Sequence, residues 1–438
     1  MNVLIEKPIS GGKVKAIASK SQAHRLLICA ALSEKETYIE CAERSDDIDA
    51  TVGCLKSLGA GIRHDGEGFT VAPIKSPVAG EHVTQVCGES GATLRFMLPV
   101  CCALGAPADF ILVGQLRDRP ISPLLEQLAA NGCDISIQKS SIRCTGKLGS
   151  GEFFLQGNIS SQFISGLLLS LPLLEGYSVI NVEGSVESMP YVTMTLEALD
   201  TFGITVKRRG SRAGRGAIYM IEGAQSYRTP GRVRVEGDWS NAAAWLGAGA
   251  IGGSGVTCTG LNLGSSQGDM AIMRLLARFG AKVAYEGGSV TVAPARLRGI
   301  QIDATDTPDL VPVLSAVAAV AEGETLISGA GRLRAKESDR LRSVSETLRT
   351  IGADIRETED GLMIRGSKSL RGGTVTSFSD HRIVMMAAIA SGVCKGQVAI
   401  NVAEAVSKSY PGFFADFEAL GGKVTADGGH NGLPRSTN

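Results

Sequence analysis

Eight basic side chains lie in short motifs rich in small polar residues, a combination suited to binding anions. They are Lys20 and Arg25 of SKSQAHR, Arg95 of GESGATLR, Arg119 of LRDRP, Lys336 and Arg340 of RAKESDR, Arg382 of SDHR and Lys408 of VSKSYP. An Arg side chain can hold a phosphate or carboxylate through two parallel hydrogen bonds, whereas Lys acts as a point charge. Because a phosphate monoester carries about −1.5 to −2 charges, so many cations predict a small ligand with several anionic groups.

Two acidic residues stand among these cations and could exchange protons. Asp309 opens an apolar segment in DTPDL, and Glu337 follows Lys336 directly. One interpretation is structural, with Asp309 capping a helix and the alternating charges of residues 336–340 forming surface ion pairs. The other is an acid/base pair tuned by burial and by neighbouring cations. Most of the acids that balance the cations are expected to lie elsewhere, with Asp309 and Glu337 as the exceptions.

Several familiar catalytic and binding motifs are absent from the sequence. There is no GxxxxGK[ST] loop, no GxGxxG after a strand and no GxSxG elbow, which disfavours nucleoside triphosphate binding, dinucleotide binding and a hydrolase. The histidines follow no metal-binding spacing and are scattered at His24, His64, His82, His381 and His430. We therefore expect neither a metal nor an organic cofactor.

Composition narrows the class of protein further. The 438 residues carry 44 Lys and Arg against 44 Asp and Glu, so the net charge is zero, which argues against nucleic-acid-coating and polybasic membrane proteins. The first residues, MNVLIEKPISGG, do not read as a signal peptide, and the uncharged stretch 239–268 is too polar for a membrane span. Ten Cys without a CxxC pair predict buried free thiols in a reducing cytoplasm.

The elements that must position the charged residues repeat along the chain. Six apolar helix ends are each followed by a glycine, spaced by about 70 residues: Gly59, Gly132, Gly203, Gly280, Gly352 and Gly421. Glycine just past a helix adopts the left-handed conformation that ends it. Each glycine therefore predicts a turn from a helix into a strand.

A second series of six apolar helices starts out of phase with the first. Small polar residues open them, at Ser21, Ser90, Ser160, Ser240, Asp309 and Ser379. Runs such as FISGLLLSLPLL are apolar nearly all round, which predicts buried helices with Ser, Thr or Asp as N-caps. Their N-termini could also bind anions, although each polar residue could equally be only a cap. Alternating β and α elements of this length predict an α/β fold, with a boundary near residues 233–237, a hairpin at 207–217 and a frayed tail at 426–438.

Ten motifs in order along the chain resemble the enolpyruvyl transferase family, and within it the 5-enolpyruvylshikimate-3-phosphate synthases. They are SKSQAHR, CGESGATLRF, LRDRPI, SSQF, SMPY, EGDWS, DTPDL, RAKESDR, DHR and SKSYP. The resemblance implies a two-domain inside-out α/β barrel of six βαβαββ repeats, three per domain. It places residues 1–19 and 237–438 in domain one and residues 20–236 in domain two, with the active site in the cleft between them. It also implies a monomer without a cofactor.

By the same resemblance, the enzyme transfers the enolpyruvyl group of phosphoenolpyruvate to the 5-hydroxyl of shikimate 3-phosphate. The residues implied to bind shikimate 3-phosphate are Ser21, Arg25, Ser160, Ser161, Gln162, Ser188, Tyr191, Asp309 and Lys336. Those implied to bind phosphoenolpyruvate are Lys20, Gly91, Arg95, Arg119, Gln162, Arg340, Arg382 and Lys408. Asp309, Glu337 and Lys20 are implied to transfer protons in an addition followed by an elimination.

Two other functions compete with this interpretation. A UDP-N-acetylglucosamine enolpyruvyl transferase shares fold and donor, but its loop cysteine is missing from LRDRPISP. A non-catalytic anion-binding scaffold would be expected to lose some of the reactive residues, and all are present. Glu89, Ala92 and Met189 depart from the commoner family pattern. Since Ala92 adjoins Gly91, the departure leaves the response to glyphosate open rather than the reaction class.

Overall fold

The computed structural model describes residues 1–75, 82–210 and 216–427. The predicted hairpin at 207–217 lies partly outside these residues, but the two strands that border it do pair antiparallel, with Lys207 opposite Met220. Most of the predicted tail at 426–438, including His430, falls outside the described residues.

The described residues form alternating strands and helices. The α-helices are α1 (Lys20–Ala31), α2 (Asp46–Ser57), α3 (Gly91–Leu104), α4 (Leu124–Ala130), α5 (Ser161–Ser170), α6 (Met189–Thr201), α7 (Trp239–Ile251), α8 (Ile272–Phe279), α9 (Val311–Ala318), α10 (Arg340–Thr350), α11 (His381–Ala390) and α12 (Phe413–Ala419). Short 3₁₀ helices span Gly114–Asp118, Leu171–Leu173, Gly268–Ala271, Pro308–Leu310, Gly331–Ala335, Ser391–Val393 and Ala403–Lys408.

The strands of the described residues are short. They are β1 (Asn2–Lys7), β2 (Gly12–Lys15), β3 (Thr37–Glu40), β4 (Gly61–His64), β5 (Gly68–Ala72), β6 (Val83–Val86), β7 (Ala108–Ile111), β8 (Cys133–Gln138), β9 (Ser141–Gly146), β10 (Glu152–Gln156), β11 (Tyr177–Glu183), β12 (Lys207–Gly210), β13 (Gly216–Glu222), β14 (Arg232–Arg234), β15 (Val256–Thr259), β16 (Lys282–Glu286), β17 (Ser289–Ala293), β18 (Gln301–Asp303), β19 (Glu324–Ser328), β20 (Asp354–Glu357), β21 (Leu362–Arg365), β22 (Gly373–Thr376), β23 (Val398–Asn401) and β24 (Lys423–Asp427).

Six four-stranded sheets share one strand order. In the sheet β18-β19-β21-β20, the first two strands are parallel and the other neighbours are antiparallel. The same arrangement recurs in β6-β7-β9-β8 and β10-β11-β13-β12. In each of these three sheets a helix connects the two parallel strands, because a parallel pair needs a long crossover connection. The predicted α/β class with six related repeats is confirmed.

The chain divides into two compact units, one formed by Met1–Ile17 with the residues from Glu236 onward, the other by Ala18–Val235. Each unit contains three of the six sheets. Three sheets take a strand from a distant part of the sequence, because β1 pairs with β23 and β24, β2 pairs with β15, and β14 pairs with β3. After β2 the chain leaves for α1 in the other unit, and after β14 it returns to α7.

The apolar helices are the buried ones. All residues of α7 from Trp239 to Ala250 are buried, as are all residues of α9 and α11. In the other unit, α3 leaves two residues partly exposed and α5 leaves one, and α1 is buried from Ala23 onward. Helices that are apolar all round have no face suited to water, so they form the interior and the sheets cover them. All six helix-ending glycines have positive φ angles, as their spacing predicts.

Three helices begin at other caps than the sequence predicted, and no side chain caps α9, which begins at Val311 after the 3₁₀ turn that contains Asp309. Ser90 and Ser160 do cap α3 and α5, but α1 is capped by Ser19, α7 by Asp238 and α11 by Asp380. For α1 and α7, an extended residue upstream of the predicted cap already accepts an N–H of the first turn, so the helix starts earlier than expected. For α11 the cap is Asp380, one residue after Ser379, so the helix starts later than expected. Ser21, Ser240 and Ser379 are consequently released from the role of cap.

The cysteines agree with the prediction of unbridged thiols. Nine of them are buried, Cys394 is partly buried, and none is disulfide-bonded. Burial raises the pKa of several thiols, such as Cys258, which keeps them protonated and unreactive. Within the described ranges, none of the helices has the length and apolar character needed to cross a membrane.

Candidate active site

The centre of the candidate site in the first unit is a buried arginine surrounded by three carboxylates. Arg340, with 1% of its side chain exposed, donates from Nε to Asp380 Oδ2 at 2.8 Å and from Nη1 to Asp309 Oδ1 at 2.9 Å. Its Nη2 donates to Asp380 Oδ1 at 3.2 Å and to Glu337. These acids raise the pKa of Arg340 despite its burial, so the guanidinium is permanently charged.

A second arginine approaches the same carboxylate from another helix. Arg382 of α11 donates to Asp309 Oδ2 at 3.1 Å and to the Ser240 hydroxyl of α7 at 2.9 Å. Asp309 lies in the 3₁₀ turn that precedes α9, so three buried helices deliver side chains to one point. The six-unit repeat thus does bring helix starts together, at least within this unit.

The protonation of this cluster follows from its charges. Burial by itself would raise the pKa of Asp309, but Arg382, Lys336 and Arg340 outweigh it and hold the pKa well below its ordinary value. Burial lowers the pKa of Lys336 to about 8, although Asp309 and Glu337 oppose the change. At neutral pH the site therefore presents an ionised carboxylate beside an ammonium group that is near its own titration range.

Lys408 joins the cluster through backbone geometry that is unusual for its residue types. Its Nζ donates to the carbonyl of Ser379 at 2.6 Å. Phe378 and Ser379 both have positive φ angles, of 54° and 56°, directly before the α11 cap Asp380. Non-glycine residues adopt this conformation at a cost of about 1–3 kcal/mol and do so most often at functional sites. The strained pair turns a carbonyl toward the lysine.

The second unit carries the other predicted residues, with Arg25 at its centre. This buried side chain donates from Nε to Thr195 Oγ1 at 2.7 Å, and from Nη2 to the Tyr191 carbonyl at 2.9 Å and the Ser165 hydroxyl at 3.4 Å. Burial lowers its pKa to about 10, which still leaves it charged at neutral pH. Arg25 of α1 is thus fixed to α5 and α6.

The cations of this unit that the resemblance implies to bind phosphoenolpyruvate also have specific neighbours. Lys20 Nζ lies 2.7 Å from Asp47 Oδ2, and Arg95 donates to Gln162 Oε1 and to the Pro120 carbonyl, both at 2.6 Å. A Cβ built on Gly91 would lie 2.7 Å from the Arg119 guanidinium, closer than side chains approach each other. Gly91 therefore leaves room for the arginine beside the α3 N-terminus.

The hydroxyl-bearing residues lie at two further helix starts of the same unit. Ser160 caps α5 and accepts the Gln162 N–H at 3.3 Å, and Ser161 is the first residue of that helix. Ser188 precedes α6 with a positive φ of 55°, and Tyr191 lies in its first turn. A serine in this conformation again indicates a constrained position at the start of a helix.

The structure corrects one expectation and adds residues that the sequence did not single out. The balancing acids do not all lie elsewhere, because Asp380 is wholly buried against Arg340 and Asp47 pairs with Lys20. Both were visible only as the acidic members of SDHR and SDD, where a cap is the ordinary interpretation. Ser240 and Thr195 were likewise missed as partners of arginines. Among the described residues no group of three His, Cys, Asp or Glu side chains is placed to hold a metal ion.

Comparison with known proteins gives consistent matches. The family model for EPSP synthase (3-phosphoshikimate 1-carboxyvinyltransferase) matches residues 5–417. The 3-phosphoshikimate 1-carboxyvinyltransferase of Clostridium perfringens strain 13 is 42% identical over 421 residues, covering 94% of this chain and 96% of its own. That of Clostridium kluyveri is 40% identical over 415 residues, with the same coverage.

Solved structures resemble the fold over almost its whole length. The EPSP synthase of Acinetobacter baumannii aligns with a TM-score of 0.78 at 23% identity, covering 97% of this chain and 100% of that one. The enolpyruvyl transferase NikO of Streptomyces tendae aligns with a TM-score of 0.77 at 18% identity, covering 97% and 98%. These two likenesses concern the fold.

Proposed function

This chain belongs to the EPSP synthase family, and from that premise we propose how its residues carry out the reaction. It is a transferase that moves the carboxyvinyl group of phosphoenolpyruvate to the 5-hydroxyl of shikimate 3-phosphate and releases phosphate. The reaction serves the biosynthesis of aromatic amino acids. The observation that carries the assignment of residues is the buried cluster in which Arg340, Arg382 and Lys336 surround Asp309.

We propose that shikimate 3-phosphate binds to residues of both units. In the second unit, Arg25 supplies a fixed positive charge, and hydroxyl and amide groups at the starts of α1, α5 and α6 supply hydrogen bonds to oxygen atoms. The residues are Ser21, Arg25, Ser160, Ser161, Gln162, Ser188 and Tyr191. In the first unit, Asp309 and Lys336 contact the hydroxyl that reacts.

Phosphoenolpyruvate is proposed to bind to the remaining basic side chains. These are Lys20, Arg95, Arg119, Arg340, Arg382 and Lys408, with Gly91 and Gln162 beside them. Arg340 already holds three carboxylates, so a donor carboxylate must compete with one of them. Glu337, 18% exposed, is easier to displace than Asp380, which is wholly buried. Displacement from Arg340 would leave Glu337 able to exchange a proton with the donor.

The proton transfers follow from the charges in the cluster. Asp309 accepts the proton of the 5-hydroxyl as the oxygen attacks C2 of phosphoenolpyruvate. At the same time C3 gains a proton, and Glu337 and Lys20 are the proposed acids for this transfer. Loss of phosphate and of a C3 proton then gives the enol ether. The cations weaken Asp309 as a base in the empty site, but donor anions bound to Arg340 and Arg382 would offset their charge and strengthen it. The same cations stabilise the departing phosphate.

Two further proposals concern the limits of the two domains and the cellular setting of the protein. We assign residues 1–19 and 237–438 to domain one and residues 20–236 to domain two, and propose a cytoplasmic monomer that binds neither nucleic acid nor membranes. The buried unbridged thiols support a reducing environment.

The assay that tests the function measures inorganic phosphate released from phosphoenolpyruvate. Release is expected with shikimate 3-phosphate as acceptor and not with UDP-N-acetylglucosamine. Phosphate release only with the nucleotide sugar would instead support the related transferase, and none with either acceptor would support a scaffold without catalysis.

Replacing Gly91 with Ala should weaken the binding of phosphoenolpyruvate and of glyphosate together. The added methyl would force the Arg119 guanidinium aside, because it would lie 2.7 Å from that group. We expect the KM for the donor and the inhibition constant of glyphosate both to rise by about tenfold or more. Gly53→Ala in α2 is the matched control, since a Cβ there meets nothing within 4 Å. Unchanged values in G91A would make Gly91 only a turn residue.

The activity should fall on the alkaline side because Lys336 loses its charge there. Its pKa of about 8 means that the ammonium is present below pH 8 and is lost as the pH rises through that value. We expect kcat/KM for shikimate 3-phosphate to fall by about tenfold per pH unit above the pKa. In Lys336→Arg this falling limb should move out of the measurable range, whereas exposed Lys368→Arg should keep it. A limb that persists unchanged in K336R would assign it to another group.

A further inference from the structure

A chain of buried hydrogen bonds connects the first three helices of the second unit. His24 Nδ1 of α1 lies 2.7 Å from Thr51 Oγ1 of α2, and Thr51 lies 2.7 Å from Thr93 Oγ1 of α3. Thr93 donates in turn to the Ser90 hydroxyl at 2.8 Å. All four side chains are buried, so the chain has no contact with bulk water.

The bonds in this chain can point in only one direction if Thr93 donates to Ser90. Each hydroxyl has a single hydrogen, so Thr51 must then donate to Thr93, and His24 Nδ1–H must donate to Thr51. Burial lowers the pKa of His24 well below its ordinary value, and the charges of Lys20 and Arg25 lower it further. The ring is therefore neutral, and the direction of the bonds places its one hydrogen on Nδ1.

The chain ends at the residues that surround the proposed donor site. Ser90 is the N-cap of α3, whose first residue is Gly91. Thr93 also approaches the Asp47 carbonyl, at 3.4 Å, and the Asp47 carboxylate holds Lys20 at the first position of α1. His24 lies one turn further along the same helix. A displacement of Thr51 would therefore change the positions of both Lys20 and Gly91.

The residues proposed for the acceptor are tied down separately. Arg25 follows His24 in α1, but it is held by Thr195 and Tyr191 of α6 and by Ser165 of α5. None of these bonds includes a member of the chain from His24 to Ser90. The hydrogen-bond partners of His24 and Arg25 therefore differ, although the Phe96 ring of α3 contacts both side chains.

We propose that His24, Thr51 and Thr93 are positioning residues that fix the start of α1 and the start of α3 for phosphoenolpyruvate. They touch neither substrate themselves and act through Lys20, Asp47 and Gly91. Thr51 is the central member because it bonds to both neighbouring helices. The inference rests on the proposed function.

The test is Thr51→Val, which keeps the shape of the side chain and removes both hydrogen bonds. We expect the KM for phosphoenolpyruvate to rise by about tenfold, with a smaller fall in kcat and less than about twofold change in the KM for shikimate 3-phosphate. Thr51→Ser, which restores the hydroxyl, should bring the donor KM back toward that of the wild type.

The matched control is Thr37→Val, which removes another buried threonine hydroxyl of the same unit, bonded to Thr229 at 2.6 Å. It should lower the melting temperature without separating the two KM values. Equal rises in both KM values for T51V, or no rise in either, would overturn the inference. If T51V does not fold, Thr51→Ala with room for a water molecule is measured in the same way. Phosphate release by the wild type is recorded first, so a wrong function and a wrong inference give different results.

Discussion

Replacing Asp309 with Asn should lower kcat by about 10²–10⁴-fold, the range that a general base contributes. The amide has nearly the shape of the carboxylate and can still accept a hydrogen bond from Arg340 or Arg382, which now donate at 2.9 and 3.1 Å. It cannot accept the proton of the attacking hydroxyl. The loss should therefore appear in kcat, measured by phosphate release at saturating substrates.

The control for this variant is Asp303→Asn. Asp303 is an exposed carboxylate in the preceding strand, bonded to Thr305, and should keep wild-type turnover. If D309N keeps nearly full turnover, Asp309 is a structural anchor for the two arginines and the base lies elsewhere. If D309N loses turnover only through a raised KM, the carboxylate orients the acceptor without taking its proton.

The second large effect concerns stability. Arg340→Gln should lower the free energy of unfolding by about 3–5 kcal/mol, because it leaves buried carboxylates without their common cation. Asp380 has no exposed surface, so its charge cannot be relieved by water. Denaturant unfolding followed by circular dichroism would measure the change, and activity should be lost in the same variant.

Arg342 provides the comparison on the same helix. Its side chain is 66% exposed and pairs with Glu346, so Arg342→Gln should change stability by no more than about 0.5 kcal/mol. Equal unfolding midpoints for R340Q and the wild type would contradict the expectation. They would mean that the three acids can be accommodated without Arg340, for example by taking up protons.

Much of the repeat architecture could be predicted from local patterns. Positions such as Gly59 and Gly352 end helices because only glycine adopts a positive φ without strain, and this requirement is written in the sequence itself. Segments such as α7 and α9 are apolar on every side, which predicts burial whatever their neighbours are. The class of fold and the number of repeats followed from these features.

The pairing of acids with cations behind the zero net charge could not be predicted from local patterns. The sequence indicated that cations such as Arg340 recur near helix starts. It also led us to expect most of the balancing acids away from these cations. In the folded chain Asp380 and Asp47 lie against Arg340 and Lys20. Which carboxylate meets which cation depends on residues separated by tens of positions, and no spacing rule connects them.

The repeats and the burial of the apolar helices could thus be predicted from the amino-acid sequence, as could the recurrence of charged residues near helix starts. The folded chain was needed to show that β2 joins the sheet of β15, that β14 joins the sheet of β3, and that Asp309 is shared by Arg340 and Arg382. The physical reason is one of range. Helix-ending turns and the all-round apolar character of a helix depend on a few neighbouring residues, whereas strand pairing and ion pairing depend on which elements pack together.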